Sequence, residues 1–106
     1  MAENFKKVYQ GQPGTSASSP LFTVGAATQI VVRHIRVVNN DTSDRTLKLW
    51  HDGNGDGQVI LPATTIKAGS WAEFDGAISL EASDTFYGQA SVNTKITVTV
   101  YGLEIT

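Results

Sequence analysis

The sequence contains no cysteine among its 106 residues. Disulfide frameworks, thiolate metal sites and cysteine nucleophiles are therefore excluded. It has only two histidines, His34 and His51, and neither lies in an H-x-H or H-E-x-x-H pattern. No apolar run approaches the roughly 20 residues that cross a bilayer, and the N-terminal stretch lacks the hydrophobic segment of a secretory signal. We expect no metal, no cofactor and no membrane association.

Charge is also scarce, since charged residues make up 17% of the chain and the net charge is −2. No dense basic stripe is present that could neutralise a run of phosphates, so a nucleic-acid partner is not expected. Much of the surface is left to threonine, serine, asparagine, glutamine and glycine. Such a weakly charged surface is typical of a protein that packs against other proteins.

Patterns that would indicate catalysis are absent as well. None of the serines lies in a G-x-S-x-G nucleophile elbow. Without cysteine and with two histidines, no sequence pattern supports a nucleophile–base pair. A carboxylate pair for sugar hydrolysis would need a cleft that a domain this small rarely builds. We therefore do not expect an enzyme.

The stretch "HDGNGDGQVI" resembles the start of a calcium loop, because Asp52, Asn54 and Asp56 alternate. An EF-hand loop needs a bidentate glutamate at its twelfth position, and counting from Asp52 that position is Ala63. The flanking segments also alternate like strands. The pattern predicts a hairpin loop in which two Asx-Gly pairs (54–57) supply positive φ. Weak calcium binding by the loop carboxylates stays an alternative.

The apolar pattern predicts an all-β fold. From Pro20 onward, turn-forming residues recur every ~8–12 residues, and long alternating runs occupy 28–38 and 95–105. Pro62 interrupts another run and excludes a central strand there, while the break in alternation at Gly102 predicts a bulge. We expect a single jelly-roll-like β-sandwich of about seven to nine antiparallel strands.

The first twenty residues differ from the rest and predict a flexible N-terminal arm (1–20) before the β-sandwich domain (21–106). The arm ends in "GQPGTSASSP", which cannot offset the entropy of ordering by burying apolar groups. Before it lies a short apolar and basic segment that could anchor the chain on a partner. The residues of this candidate partner-binding segment are Phe5, Lys6, Lys7, Val8 and Tyr9.

The aromatic residues supply a second candidate site. Trp50 and Trp71 lie in predicted strands, where an exposed ring could stack on a sugar. Aromatic residues in such positions are more often core or subunit contacts. Both interpretations, carbohydrate binding and interface formation, are kept for these two residues.

The order of strands and turns resembles small β-sandwich virion proteins of tailed bacteriophages. The likeness covers about residues 21–105 and runs through "LFTVGAATQIVVRHIRVVNN", "RTLKLWHDG", "IKAGSWAEFDGAISLEASDTFYGQAS" and "ITVTVYGLEI". Its marks are the small-residue turn after Val24, Ala68-Gly69 before an edge strand, "LEASDT" at Leu80–Thr85 and the closing strand Val100–Ile105. Gly25-Ala26 and Ser83 depart from the turns usual in that pattern.

The resemblance implies a capsid cement or decoration protein that binds across major capsid protein subunits and stabilises the head. A tail or collar component, or a carbohydrate-binding module for host recognition, is the alternative. It further implies a homo-oligomer, a dimer or trimer, because capsid lattices offer two-fold and three-fold sites. The expected location is the capsid surface of the virion, after synthesis in the host cytoplasm.

Overall fold

The computed structural model describes residues 2–106, and within them the chain forms eight strands and one short 3₁₀ turn. The turn is Asp56–Gln58. The strands are β1 (Glu3–Gly11), β2 (Phe22–Thr23), β3 (Gln29–Asn39), β4 (Arg45–His51), β5 (Val59–Ile66), β6 (Trp71–Leu80), β7 (Thr85–Ala90) and β8 (Ile96–Ile105).

The strands form two four-stranded antiparallel sheets. The first sheet has the order β1-β8-β3-β6 and the second the order β2-β7-β4-β5. Consecutive strands mostly alternate between the sheets, which is the interleaved order of a jelly roll. The predicted all-β sandwich is therefore confirmed.

The core lies between the sheets because alternate residues of the central strands point inward. In β8, Ile96, Val98 and Val100 are fully buried, and the threonines between them face outward. Leu47 and Phe86 complete the core from the second sheet, and both are fully buried. Burial of each such side chain stabilises the fold by about 1.5–3 kcal/mol.

The N-terminal segment differs from the flexible arm that the sequence predicts. Residues 3–11 form β1, which pairs with β8 in the first sheet. Tyr9 also stacks on Phe22 of the second sheet with 5.7 Å between ring centroids. The flexible-arm prediction is wrong for residues 3–11, because the local sequence does not show that β8 supplies hydrogen-bond partners for this segment.

The Gly/Ser/Pro stretch after β1 has no strand, yet the neighbouring elements hold it. Pro13 is fully buried, and the carbonyl of Gly14 accepts a hydrogen bond of 2.9 Å from the Ala90 amide. The side chain of Gln89 donates to the carbonyl of Thr15 at 2.9 Å. These bonds guide the chain from the first sheet to the second.

Pro62 behaves as predicted. It lies in β5, which is the last strand of the second sheet, so its missing amide hydrogen interrupts no central ladder. The pairing of β5 with β4 shifts register between Leu47 and Leu49, opposite this proline.

The loop between β4 and β5 is a turn, but its strained residues are not the predicted ones. Positive φ occurs at Asp52 (59°) and Gly53 (131°), before the two Asx-Gly pairs. The Gln58 side chain closes the loop by accepting a hydrogen bond of 2.9 Å from the Gly55 amide. Within residues 2–106 no group of three histidine, aspartate or glutamate side chains is arranged to hold a metal ion.

Candidate functional site

The outward-facing surface of the first sheet, hereafter the outer face, is the candidate interaction site. Two large apolar side chains are mostly exposed within residues 2–106, namely Phe5 (62%) and Trp71 (54%), and both lie on this face. Phe5 is opposite Leu103 on β8, which alternates with the inward residues of that strand. Trp71 alternates with Ala72, which packs against the core.

A row of irregularities crosses the first sheet. β1 has one extra residue, Val8, between its paired residues Lys7 and Tyr9. β3 likewise has Arg33 as an extra residue against β8. Bulges of this kind bend a sheet and re-aim side chains. The bulge predicted at Gly102 is therefore confirmed in position, but the extra residues belong to the neighbouring strands.

Gly102 lies at the centre of this row, and its lack of a side chain is required there. A Cβ at this position would lie 2.6 Å from the carbonyl oxygen of Val31. No side chain fits at that distance, so the backbones of β8 and β3 can approach only because residue 102 is glycine. The break in the apolar–polar alternation at Gly102 therefore reflects a steric requirement for glycine.

A groove of about 640 Å³ opens beside the bulges. Phe5 and Leu103 supply an apolar wall, and Arg33 and Asp75 supply charge. Gly76 and Ala77 of β6 form its other side. An apolar wall with opposite charges at its rim is suited to contact with a protein surface.

A charged cluster lies next to the groove on the outer face. The ring of His34 is bonded at Nδ1 to Asp75 and at Nε2 to Glu73, with 2.5 Å between Nε2 and the carboxylate. Arg36 Nη1 lies 3.4 Å from the other Glu73 oxygen. The Arg36 guanidinium also lies 4.3 Å from the centre of the Trp71 ring, where a cation is attracted to the ring face.

This geometry favours the charged form of the histidine. Only an imidazolium can donate from both ring nitrogens, and each nitrogen of His34 faces a carboxylate. The hydrogen bond to Asp75 is the largest cause that raises the pKa of His34, while the Glu73 contact adds to it and desolvation opposes it.

The predicted partner-binding segment is divided between two faces. Phe5 and Lys7 point to the outer face, while the Lys6 amine pairs with Glu104 at 3.3 Å on the other side. Val8 and Tyr9 pack against the core, and burial raises the pKa of the Tyr9 hydroxyl. Phe5 and Lys7 are therefore the residues of the segment whose side chains lie on the outer face.

Of the two candidate tryptophans, one is buried and the other is exposed. Trp50 is only 5% exposed, and the Lys48 amine lies 4.9 Å from the centre of its ring. Trp50 therefore offers no open ring face. Trp71 keeps an exposed ring at the edge of the first sheet.

Sequence reasoning missed Arg33, His34, Glu73, Asp75 and Leu103 as parts of the site. Histidine was considered only as a metal ligand. The signal was present in part, because His34 and Glu73 both occupy outward positions of alternating runs. What the sequence could not supply was the antiparallel pairing of β3 with β6, which brings them together.

Comparison with known proteins identifies the fold. No family model matches the sequence, and no curated protein matches it. A chain in the crystal structure of the T13 IBDV viral particle superposes with a TM-score of 0.57 at 12% identity. The match covers 96% of this chain, which spans only 30% of the viral chain. At that identity the match shows the β-sandwich fold alone.

A second similar structure is the native family 35 carbohydrate-binding module from Clostridium thermocellum. It superposes with a TM-score of 0.42 at 12% identity, over 98% of this chain and 92% of the module.

None of the helical segments within residues 2–106 is long and apolar enough to cross a membrane.

Proposed function

We propose that this protein is a non-enzymatic structural component of a phage virion that binds across major capsid protein subunits and stabilises the head. The observation that carries the proposal is the part of the outer face around the groove, where Phe5 is 62% exposed beside Leu103. Neighbouring exposed apolar side chains are a feature of surfaces that contact other proteins.

The small fraction of charged residues supports the same role, because a weakly charged surface is typical of a protein that packs against other proteins. Each single contact would be weak, but contacts to two neighbouring capsid subunits would strengthen the binding through effective concentration. The fold similarity to a chain of a viral particle is consistent with this role, since it shows that the same architecture occurs in a virion.

Co-sedimentation with empty, undecorated phage capsids tests the proposal. We expect saturable binding at a fixed ratio to the major capsid protein, and better survival of the particles after heating or osmotic shock. Phe5→Ala should weaken binding about tenfold or more, as loss of a buried aromatic anchor does. Lys67→Ala is the control, because Lys67 is 79% exposed and lies in the turn between β5 and β6, which does not border the groove at Phe5.

Equal binding by the Phe5→Ala and wild-type proteins would show that the outer face at Phe5 is not the contact. No binding at any concentration would argue against the capsid role itself. Removal of residues 2–19 would be a poor test, because it deletes an edge strand and the Tyr9–Phe22 stack.

Carbohydrate binding for host recognition is the second candidate function, and one observation favours it. The ring of Trp71 is 54% exposed, and hydrogen-bonding groups of Arg36 and Glu73 lie beside it. Sugars are bound by such pairs of a stacking ring and polar side chains. A glycan array on which wild type gives a signal and Trp71→Ala does not would support this function, and a blank array would remove it.

A further inference from the structure

The pairing of β1 with β8 determines which residues of β1 direct their backbone N–H and C=O groups at the open edge of the sheet. β1 is the outermost strand of the first sheet, and residues 3–7 are all exposed. Ala2 and Thr106 exchange both backbone hydrogen bonds, with N–O distances of 3.0 and 2.9 Å. In an antiparallel ladder, such pairs alternate with residues whose N–H and C=O point away from the partner strand. Glu3, Phe5 and Lys7 therefore direct their backbone groups at the open edge.

The side chains of the same three residues all lie on the outer face, because their register partners on β8 face outward. Along the strand they place an acid, a large apolar ring and a base at equal spacing. Their partners on β8 are Ile105, Leu103 and Tyr101.

We propose that two copies of this protein pair antiparallel through β1, about a two-fold axis at Phe5. Phe5 then lies opposite Phe5 of the second copy, and Glu3 lies opposite Lys7 of the second copy on both sides of the axis. The four strands of each first sheet join into one continuous sheet. The proposal does not rest on the capsid role.

The register of the proposed β1–β1 pairing follows from which backbone groups point at the open edge and from the charges of Glu3 and Lys7. A two-fold axis at Phe5 pairs all three edge-directed residues, with two backbone hydrogen bonds for each pair. An axis at Glu3 or at Lys7 would oppose like charges and shorten the ladder. An axis at residue 4 or 6 would place Phe5 opposite a charge and leave one edge residue unpaired. Opposite charges across a strand pair stabilise it and like charges destabilise it.

The two charges are available for this contact. Within residues 2–106 Glu3 makes no ion pair, and the Lys7 amine donates only to the neutral side chain of Gln10 at 3.2 Å. Lys6 is different, because it lies on the other face and pairs with Glu104. Lysines on an edge strand often prevent association, but Lys7 here has a complementary glutamate four residues away on the same face.

Sedimentation velocity of the full chain, without capsids, tests the pairing. We expect a monomer–dimer equilibrium for the wild type. Glu3→Lys and Lys7→Glu should each weaken it about tenfold, because each replaces two attractive pairs by two repulsive ones. An equimolar mixture of the two variants should recover the dimer, since unlike copies are again complementary. Lys67→Glu, which changes the net charge by the same amount as Lys7→Glu at a position that is 79% exposed, should not alter the equilibrium.

A cysteine at the axis tests the register itself, because the natural chain has no cysteine. Residues of a hydrogen-bonded antiparallel pair have Cα atoms about 5.5 Å apart, within the range of roughly 4.4–6.8 Å that a disulfide spans. Phe5→Cys should therefore form a disulfide-linked dimer on mild oxidation. Trp71→Cys, which is also exposed but lies on β6, should remain largely monomeric.

A wild type that stays monomeric up to about 1 mM, where a dimer with a Kd of about 1 mM is half formed, would overturn the proposal. A dimer that resists both charge reversals, or that forms no disulfide at position 5, would show that another surface mediates it. Because these readouts need no capsid, their failure is distinct from a failure of capsid binding.

Discussion

The two halves of β8 lie between the same neighbouring strands, β1 and β3, but have opposite surroundings. From Ile96 to Val100 every inward residue is fully buried, and the strand lies in the middle of the core. Beyond Gly102 the next inward residue is Glu104, which pairs with Lys6 at the surface, and the outward Leu103 borders a groove. The first half holds the sandwich together. The second half, past the bulges, is free to make contacts.

The largest expected effect is on the free energy of unfolding, and it differs between the two halves of β8. Ile96→Ala should lower the free energy of unfolding by about 2–5 kcal/mol, because it removes buried methyl groups and leaves a cavity. Leu103→Ala in the same strand should cost less than about 1 kcal/mol, since this side chain is only half-buried and lies outside the core. Urea denaturation of both variants measures the difference, and equal costs would contradict the division of β8.

Gly102 at the boundary should be the next most sensitive position. Gly102→Ala forces a Cβ against the Val31 carbonyl, so we expect a loss of about 1–3 kcal/mol, as in other overpacked sites. Gly57→Ala is the matched control, because a Cβ there meets nothing within 4 Å. A Gly102 variant as stable as the Gly57 variant would show that the strands can separate without cost.

The smallest expected effect is the pH dependence of the charged cluster. The raised pKa of His34 means that its contribution to stability is fully present below the unfolded value of 6.5 and is lost as pH rises through the folded pKa. Because the group is near the surface, the loss should stay below about 1 kcal/mol. The melting temperature of wild type should fall relative to His34→Gln between about pH 5 and pH 9. Parallel curves would mean that the cluster does not hold a charged imidazole.

The sequence predicted the sandwich because its evidence is local: alternation shows which strand face is buried, and turn residues show where strands end. Pro62 at an edge and the irregularity at Gly102 were predictable for the same reason. The role of β1 was not, because "NFKKVY" pairs with a strand more than ninety residues later in the chain. The cluster of His34 with Glu73 and Asp75 depends on the pairing of β3 with β6 in the same way. Propensity says nothing about such distant partners.

The central claim is that the outer face at the bulges, and not the outer face of the second sheet, contacts the capsid. Co-sedimentation of two charge-changing variants with empty capsids tests it most directly. Leu103→Glu places an acid in the apolar wall of the groove, whereas Lys48→Glu changes the charge on the second sheet, beside Trp50. The account predicts that Leu103→Glu no longer sediments with capsids and that Lys48→Glu binds as wild type does. Binding lost by Lys48→Glu and kept by Leu103→Glu would contradict it.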